Sequence, residues 1–74
     1  MPSDPFTFTP PKVLGAPECR WRAVRRDDGS LHIERRMVPY GQWVGQTAEE
    51  LAAEVANGTD VGKWLRRLRA AGLL

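Results

Sequence analysis

The chain has few of the side chains most used for covalent and metal chemistry: one cysteine, Cys19, and one histidine, His32, among 74 residues. A single thiol cannot form an intrachain disulfide, and so short a chain folding without one suits a reducing compartment. A lone histidine lacks the imidazole or thiolate partners of a zinc site, so neither a metal nor a cofactor is expected. Long apolar runs are lacking as well. No stretch approaches the ~20 residues that cross a bilayer. The start, MPSDPFTFTPPK, has neither the basic n-region nor the apolar h-region of a secretory signal. The reading is a cytoplasmic protein with no membrane association. A chain of this length makes one small domain without a deep cleft. No nucleophile, base and orienting group can be assembled from its residues, which argues against an enzyme.

Charge is present but small in sum, with a formal net value of +2. Its placement says more than its total. Residues 20–37 carry six Arg against Asp27, Asp28 and Glu34; residues 47–58 carry only Glu49, Glu50 and Glu54; residues 59–74 carry Lys63, Arg66, Arg67 and Arg69 against Asp60. Two basic segments thus flank an acidic one.

Proline divides the chain. All but one of the six prolines fall at or before Pro17, so residues 1–18 read as a Pro-rich extended arm without helix, and residues 19–74 as a single small domain. In the arm Phe6 and Phe8 alternate with Thr7 and Thr9. That pattern fits an edge strand on the domain or a segment that docks on a protein partner, and terminal fraying gives a third reading, a disordered leader.

Arg20 to Val38 reads as a β-hairpin. A three-residue loop, Asp27-Asp28-Gly29, with Gly29 left-handed, places Trp21, Ala23, Leu31, Ile33 and Met37 on one face. A two-residue Asp28-Gly29 turn scatters Trp21 to the other side, so the three-residue register is preferred. The opposite face then presents Arg20, Arg22, Arg26, His32, Glu34 and Arg36, while Arg25 and Arg35 snorkel from the margins of the apolar face. Pro39 and Gly41 end the second strand, and Gln42-Trp43-Val44 suits a short third one.

Residues 47–74 read as two capped helices. Thr47 with Glu50 forms a capping box and Gly58 ends the first helix; Asp60 or Thr59 caps the second, which stops at Gly72. Ala48, Leu51, Ala52 and Val55 make the first apolar stripe. Val61, Trp64, Leu65, Leu68 and Ala71 make the second, at core-face spacing. Leu73 and Leu74 can fold back over the core. Gly62, unfavourable inside a helix by roughly 1 kcal/mol relative to alanine, suggests close approach of a backbone, either that of DNA or that of the first helix. The fold class is α+β: a β-hairpin or three-stranded antiparallel sheet packed on two C-terminal helices.

The run TAEELAAEV, a turn, then VGKWLRRLRAAGLL resembles the helix-turn-helix of bacterial winged-helix repressors, with its T-x-x-E-L-A helix and an L-x-x-L-x-x-x-G-L ending. The resemblance covers residues 47–74. It implies that Leu51, Ala52, Val55, Leu65, Leu68, Gly72 and Leu73 are scaffold and that the stretch from Thr59 to Arg67 faces DNA. A second resemblance, over residues 20–56 and resting on the order of elements, is to the three-stranded DNA-binding domains of some phage and transposon integrases. It implies that Arg20, Arg22, Arg26 and Arg36 read the major groove. Trp21 and Trp64 fall on apolar faces and belong to the core; Tyr40 and Trp43 are open to a contact role.

These residues point to a small DNA-binding regulatory protein of phage or mobile-element type, with Lys63, Arg66, Arg67, Arg69, Arg20, Arg22, Arg26 and Arg36 as its nucleic-acid-binding set. So small a module implies a homodimer or a cooperative array. The competing reading is a protein-interaction module, an adaptor or inhibitor that engages an acidic partner. The acidic first helix favours it.

Overall fold

The computed structural model describes residues 5–11 and 13–74; the parts of the arm at 1–4 and at Lys12 lie outside the described residues. Six elements follow in order: β1 (Thr7–Phe8), β2 (Cys19–Arg25), β3 (Leu31–Met37), β4 (Val44–Gly45), α1 (Ala48–Ala56) and α2 (Asp60–Ala70). The strands form one antiparallel sheet in chain order, β1-β2-β3-β4. The fold is α+β, as the sequence implies, with one strand more than expected because the arm supplies β1.

The hairpin adopts the three-residue register. Arg25 pairs with Leu31, and the Arg26 amide donates to the Ser30 carbonyl at 2.8 Å, leaving Asp27, Asp28 and Gly29 as the loop. Gly29 sits at φ 87°, where a side chain is strained and glycine is not. The exposed Asp28 carboxylate accepts hydrogen bonds from the Ser30 hydroxyl at 2.6 Å and the Ser30 amide at 2.9 Å. Those two bonds, more than the nearby Arg26 charge, hold its carboxyl below the usual carboxylate range.

Alternation along this hairpin sets the core. Trp21 and Ile33 turn inward and are buried with Val61, Trp64, Leu65 and Leu68 of α2. Phe8, Ala23, Leu51, Val55 and Leu73 pack around them half-buried. β1 reaches this core through its side chains as well as its ladder: Phe8 stacks on Trp64 with ring centroids 5.6 Å apart, and the Trp64 indole N–H donates to the Pro5 carbonyl at 2.9 Å. The third sequence-expected strand is shorter and later than expected, at Val44–Gly45, because Trp43 precedes the paired residues. Met37 lies on the expected face but remains 39 % exposed at the strand end.

The helices follow their capping signals. Thr47 accepts from the Glu50 amide, and the Glu50 carboxylate accepts from the Thr47 amide, completing the capping box. Asn57 is the last residue of α1's cap, and Gly58 at φ 64° turns the chain out. Thr59 rather than Asp60 caps α2: its hydroxyl oxygen accepts from the Gly62 amide at 3.0 Å and its hydroxyl donates to the Glu54 carboxylate at 2.5 Å. At the far end Gly72, φ 75°, forms a Schellman closure in which the Leu73 amide bonds the Leu68 carbonyl at 2.9 Å.

Two expected stripes are narrower in the structure. On α1 only Leu51 and Val55 reach the core, and even they are half-buried; Ala48 and Ala52 stay exposed. On α2, Ala71 is the exposed C-cap residue. The reason is that α2 supplies the helical residues buried with Trp21 and Ile33, whereas α1 supplies none and packs against α2.

The Thr59 side chain ties both helices, so Thr59→Ala should cost about 1–2 kcal/mol, lowering the thermal midpoint by roughly 4–8 °C for each kcal/mol in a domain of this size. Thr59→Ser should restore most of that. A thermal melt in which alanine and serine variants match each other would place the effect elsewhere.

Candidate nucleic-acid interface

Two basic surfaces emerge, each the reverse side of an apolar one. On α2, residues Val61, Trp64, Leu65 and Leu68 are buried, so the helical period turns Lys63 and Arg66 directly outward. Arg67 lies toward β1, lining a groove with Pro5, Thr7 and Phe8; Arg69 lies toward α1, lining another with Ala48 and Leu51. All four are exposed. Among the described residues none of their side chains makes an ion pair or a hydrogen bond. Arg67 and Arg69 also complement the C-terminal end of the helix dipole.

The sheet's open face is built row by row from the hairpin register. Arg22 pairs with Glu34, which pairs in turn with Gly45 of β4. Within this row the Arg22 Nε donates to a Glu34 carboxylate oxygen at 2.7 Å. In the next row Arg20 stands directly opposite Arg36. Trp43, just ahead of β4, lies beneath both neighbours: the Arg22 guanidinium is 4.1 Å from its ring centroid and that of Arg36 is 5.8 Å away, inside the range of cation–π attraction. Arg36 also donates to the Pro39 carbonyl at 3.3 Å, while its Nε is shielded without an acceptor. Val38-Pro39 is a cis peptide bond.

At the hairpin end, Arg26 approaches His32 Nδ1 at 2.7 Å. Guanidinium has only donors, so Nδ1 accepts and the ring proton of the neutral imidazole sits on Nε2, which is 3.9 Å from the other Glu34 oxygen. The ring lies over Gly45; a Cβ there would come within 2.5 Å of Nε2. His32 is therefore a packed member of the sheet face. Among the described residues no group of three His, Cys, Asp or Glu side chains is placed to hold a metal ion. Arg25 donates to the Gly29 carbonyl at 2.8 Å, and Arg35 extends over Trp21 with its guanidinium 5.7 Å from the ring centroid.

The expected binding set is therefore divided. Lys63 and Arg66 lie on the outside of the helix layer, with Arg67 and Arg69 at its two margins; Arg20, Arg22, Arg26 and Arg36 lie on the outside of the sheet layer, with the core between the two sets. Gly62 serves the first helix: a Cβ there would overlap the Glu54 carbonyl and lie 2.9 Å from Val55 Cα. Trp43 is the residue whose part the sequence left open. Its signal is its position two residues before the strand glycine Gly45, which puts both on one face. Tyr40, 94 % exposed in the loop ahead of β4, touches none of the aromatic rings. No helix among the described residues is long and apolar enough to cross a membrane. No protein-family model matches this chain, and no curated protein or solved structure matches it either.

Proposed function

We propose that the protein is a small DNA-binding regulatory module that engages the duplex through the outer face of α2. The observation that carries this reading is the set of four exposed cations, Lys63, Arg66, Arg67 and Arg69, on one rigid helix, whose side chains have no ion-pair partner among the described residues. An ordinary solvated face intersperses both signs; here the only acidic residue in α2 is Asp60, at its first turn. The helix is immobilised by its buried side chains and both caps, so its guanidinium groups are presented at little further ordering cost. Arginine offers bidentate donors to guanine and both Arg and Lys neutralise phosphate.

Four phosphate contacts give a log–log salt slope of roughly −3.6, so raising salt from about 50 to 200 mM should weaken binding about a hundredfold. Titrating labelled duplex against the protein at these salts measures it. Arg66→Ala with Arg67→Ala should flatten the slope by about 2. Absence of binding at the lower salt, or an unchanged slope in the double variant, removes α2 as the DNA surface.

An interaction module remains the second reading, favoured by one feature. Leu51, Val55, Leu65 and Leu74 line an open apolar groove of about 520 Å³ between α1 and α2, with exposed Ala48 and Ala52 at its edge. A folded protein that binds no duplex at low salt would support this reading over the first.

A further inference from the structure

We infer that the open face of the sheet is a second duplex-binding surface, so that one copy of the chain bridges two DNA segments. The inference rests on the DNA reading of α2 and goes beyond it. Its first support is a conflict built into the register: Arg20 and Arg36 are direct cross-strand partners, and like charges directly opposite each other destabilise a sheet. Trp43 attracts the Arg36 guanidinium, but among the described residues no anion stands in that row. A polyanion laid across it removes the repulsion.

The second support is composition and spacing. Among the described residues, Arg20, Arg22, Arg26 and Arg36 outnumber the carboxylates of this face: Glu34, which already holds Arg22, and Glu18, one row beyond Arg20, whose carbonyl accepts from the Val38 amide. Arg20 and Arg22 are two residues apart on one strand, roughly 6.8 Å, twice the ~3.4 Å axial step of phosphates along a DNA strand. A protein partner is less well matched. Stable protein interfaces bury an apolar centre depleted of charge, whereas the aromatic ring on this face, Trp43, is already covered by Arg22 at 4.1 Å.

The third support is the placement of the two faces. They point away from one another across a body of 37 × 33 × 25 Å. DNA has a persistence length of about 150 base pairs, so a short duplex seated on α2 does not wrap round to the sheet. Occupying both faces takes two duplexes.

The test mixes two populations of duplex of about 20 base pairs, one carrying a donor dye and the other an acceptor, and titrates in the full chain at about 50 mM salt. Energy transfer between duplexes should rise, peak near one protein for every two duplexes, and fall when excess protein occupies each duplex singly. The informative variant is Arg20→Glu. It turns a like-charge cross-strand pair into an opposite-charge one, so its thermal midpoint should be no lower than that of the parent. Binding to a single duplex through α2, read by anisotropy, should persist, while the transfer signal falls about tenfold or more. Single-duplex binding without transfer at any ratio overturns the bridge and leaves the α2 reading standing. Undiminished transfer in Arg20→Glu assigns bridging to a protein dimer and overturns the sheet's role. Loss of single-duplex binding in the parent chain overturns both.

Discussion

Replacing Trp64 with alanine should lower the unfolding free energy by about 3–5 kcal/mol, the usual cost of deleting a large buried aromatic. The magnitude follows from how much converges on this side chain. It is 3 % exposed, lies among the six buried residues of the core, stacks with Phe8, and donates its indole N–H to the Pro5 carbonyl. Domains have roughly 0.05–0.15 kcal/mol of stability per residue, so the loss consumes a large share of the total available to so short a chain. Urea denaturation is the direct measurement. A Trp64→Phe variant divides the effect, since it retains an aromatic partner for Phe8 and loses the hydrogen bond, which is worth about 1 kcal/mol. If alanine costs less than about 1.5 kcal/mol, against the usual range for such deletions, the indole is not the junction of sheet, helix and arm.

Gly62→Ala should be nearly as damaging, although on propensity alone it would stabilise a helix by about 1 kcal/mol. The added methyl has nowhere to go. It would overlap the Glu54 carbonyl and sit 2.9 Å from Val55 Cα, and both obstacles are backbone that a rotamer change cannot move. Overpacking of this kind costs about 1–3 kcal/mol, sometimes more, and a clash with main chain belongs at the upper end, so a net loss of about 2–3 kcal/mol is expected. The helices must separate, so the Thr59 cap, which spans them to Glu54, weakens with them. Equilibrium unfolding of Gly62→Ala against Gly58→Ala gives a control, because at Gly58 the strain is in φ and the space is open. A Gly62→Ala variant as stable as the parent would mean that the helix contact is looser than the structure has it.

Much of this fold is legible in the residues. The loop length of the hairpin follows from requiring Trp21 and Ile33 to share a face, and that one choice also fixes that Arg22 meets Glu34 and Arg20 meets Arg36. The caps follow from Thr47, Glu50, Thr59, Gly58 and Gly72, whose chemistry is local. What was not legible depends on distant parts of the chain. Pro5 and Phe8 reach Trp64 across more than fifty residues, and no local pattern distinguishes a strand that finds such a partner from a loose leader. The exposure of Ala48 and Ala52 has a similar origin: periodicity shows that α1 has an apolar side but not how much of it a neighbour covers. For the candidate surface, helical and strand periodicity correctly turn both basic sets outward; that they turn outward in opposite directions depends on which sheet face receives α2.

The order of strand lengths across the sheet also governs how the molecule behaves toward copies of itself. The two seven-residue strands, β2 and β3, are enclosed by two-residue strands, β1 and β4. Each outer strand pairs with only two residues of the long strand beside it, so the outermost strands are themselves too short to template another chain. Pro10 and Pro11 follow β1 closely, so that edge cannot lengthen into a continuous donor row. Very short outer strands and a proline pair beside one of them are devices by which a sheet discourages edge-to-edge polymerisation.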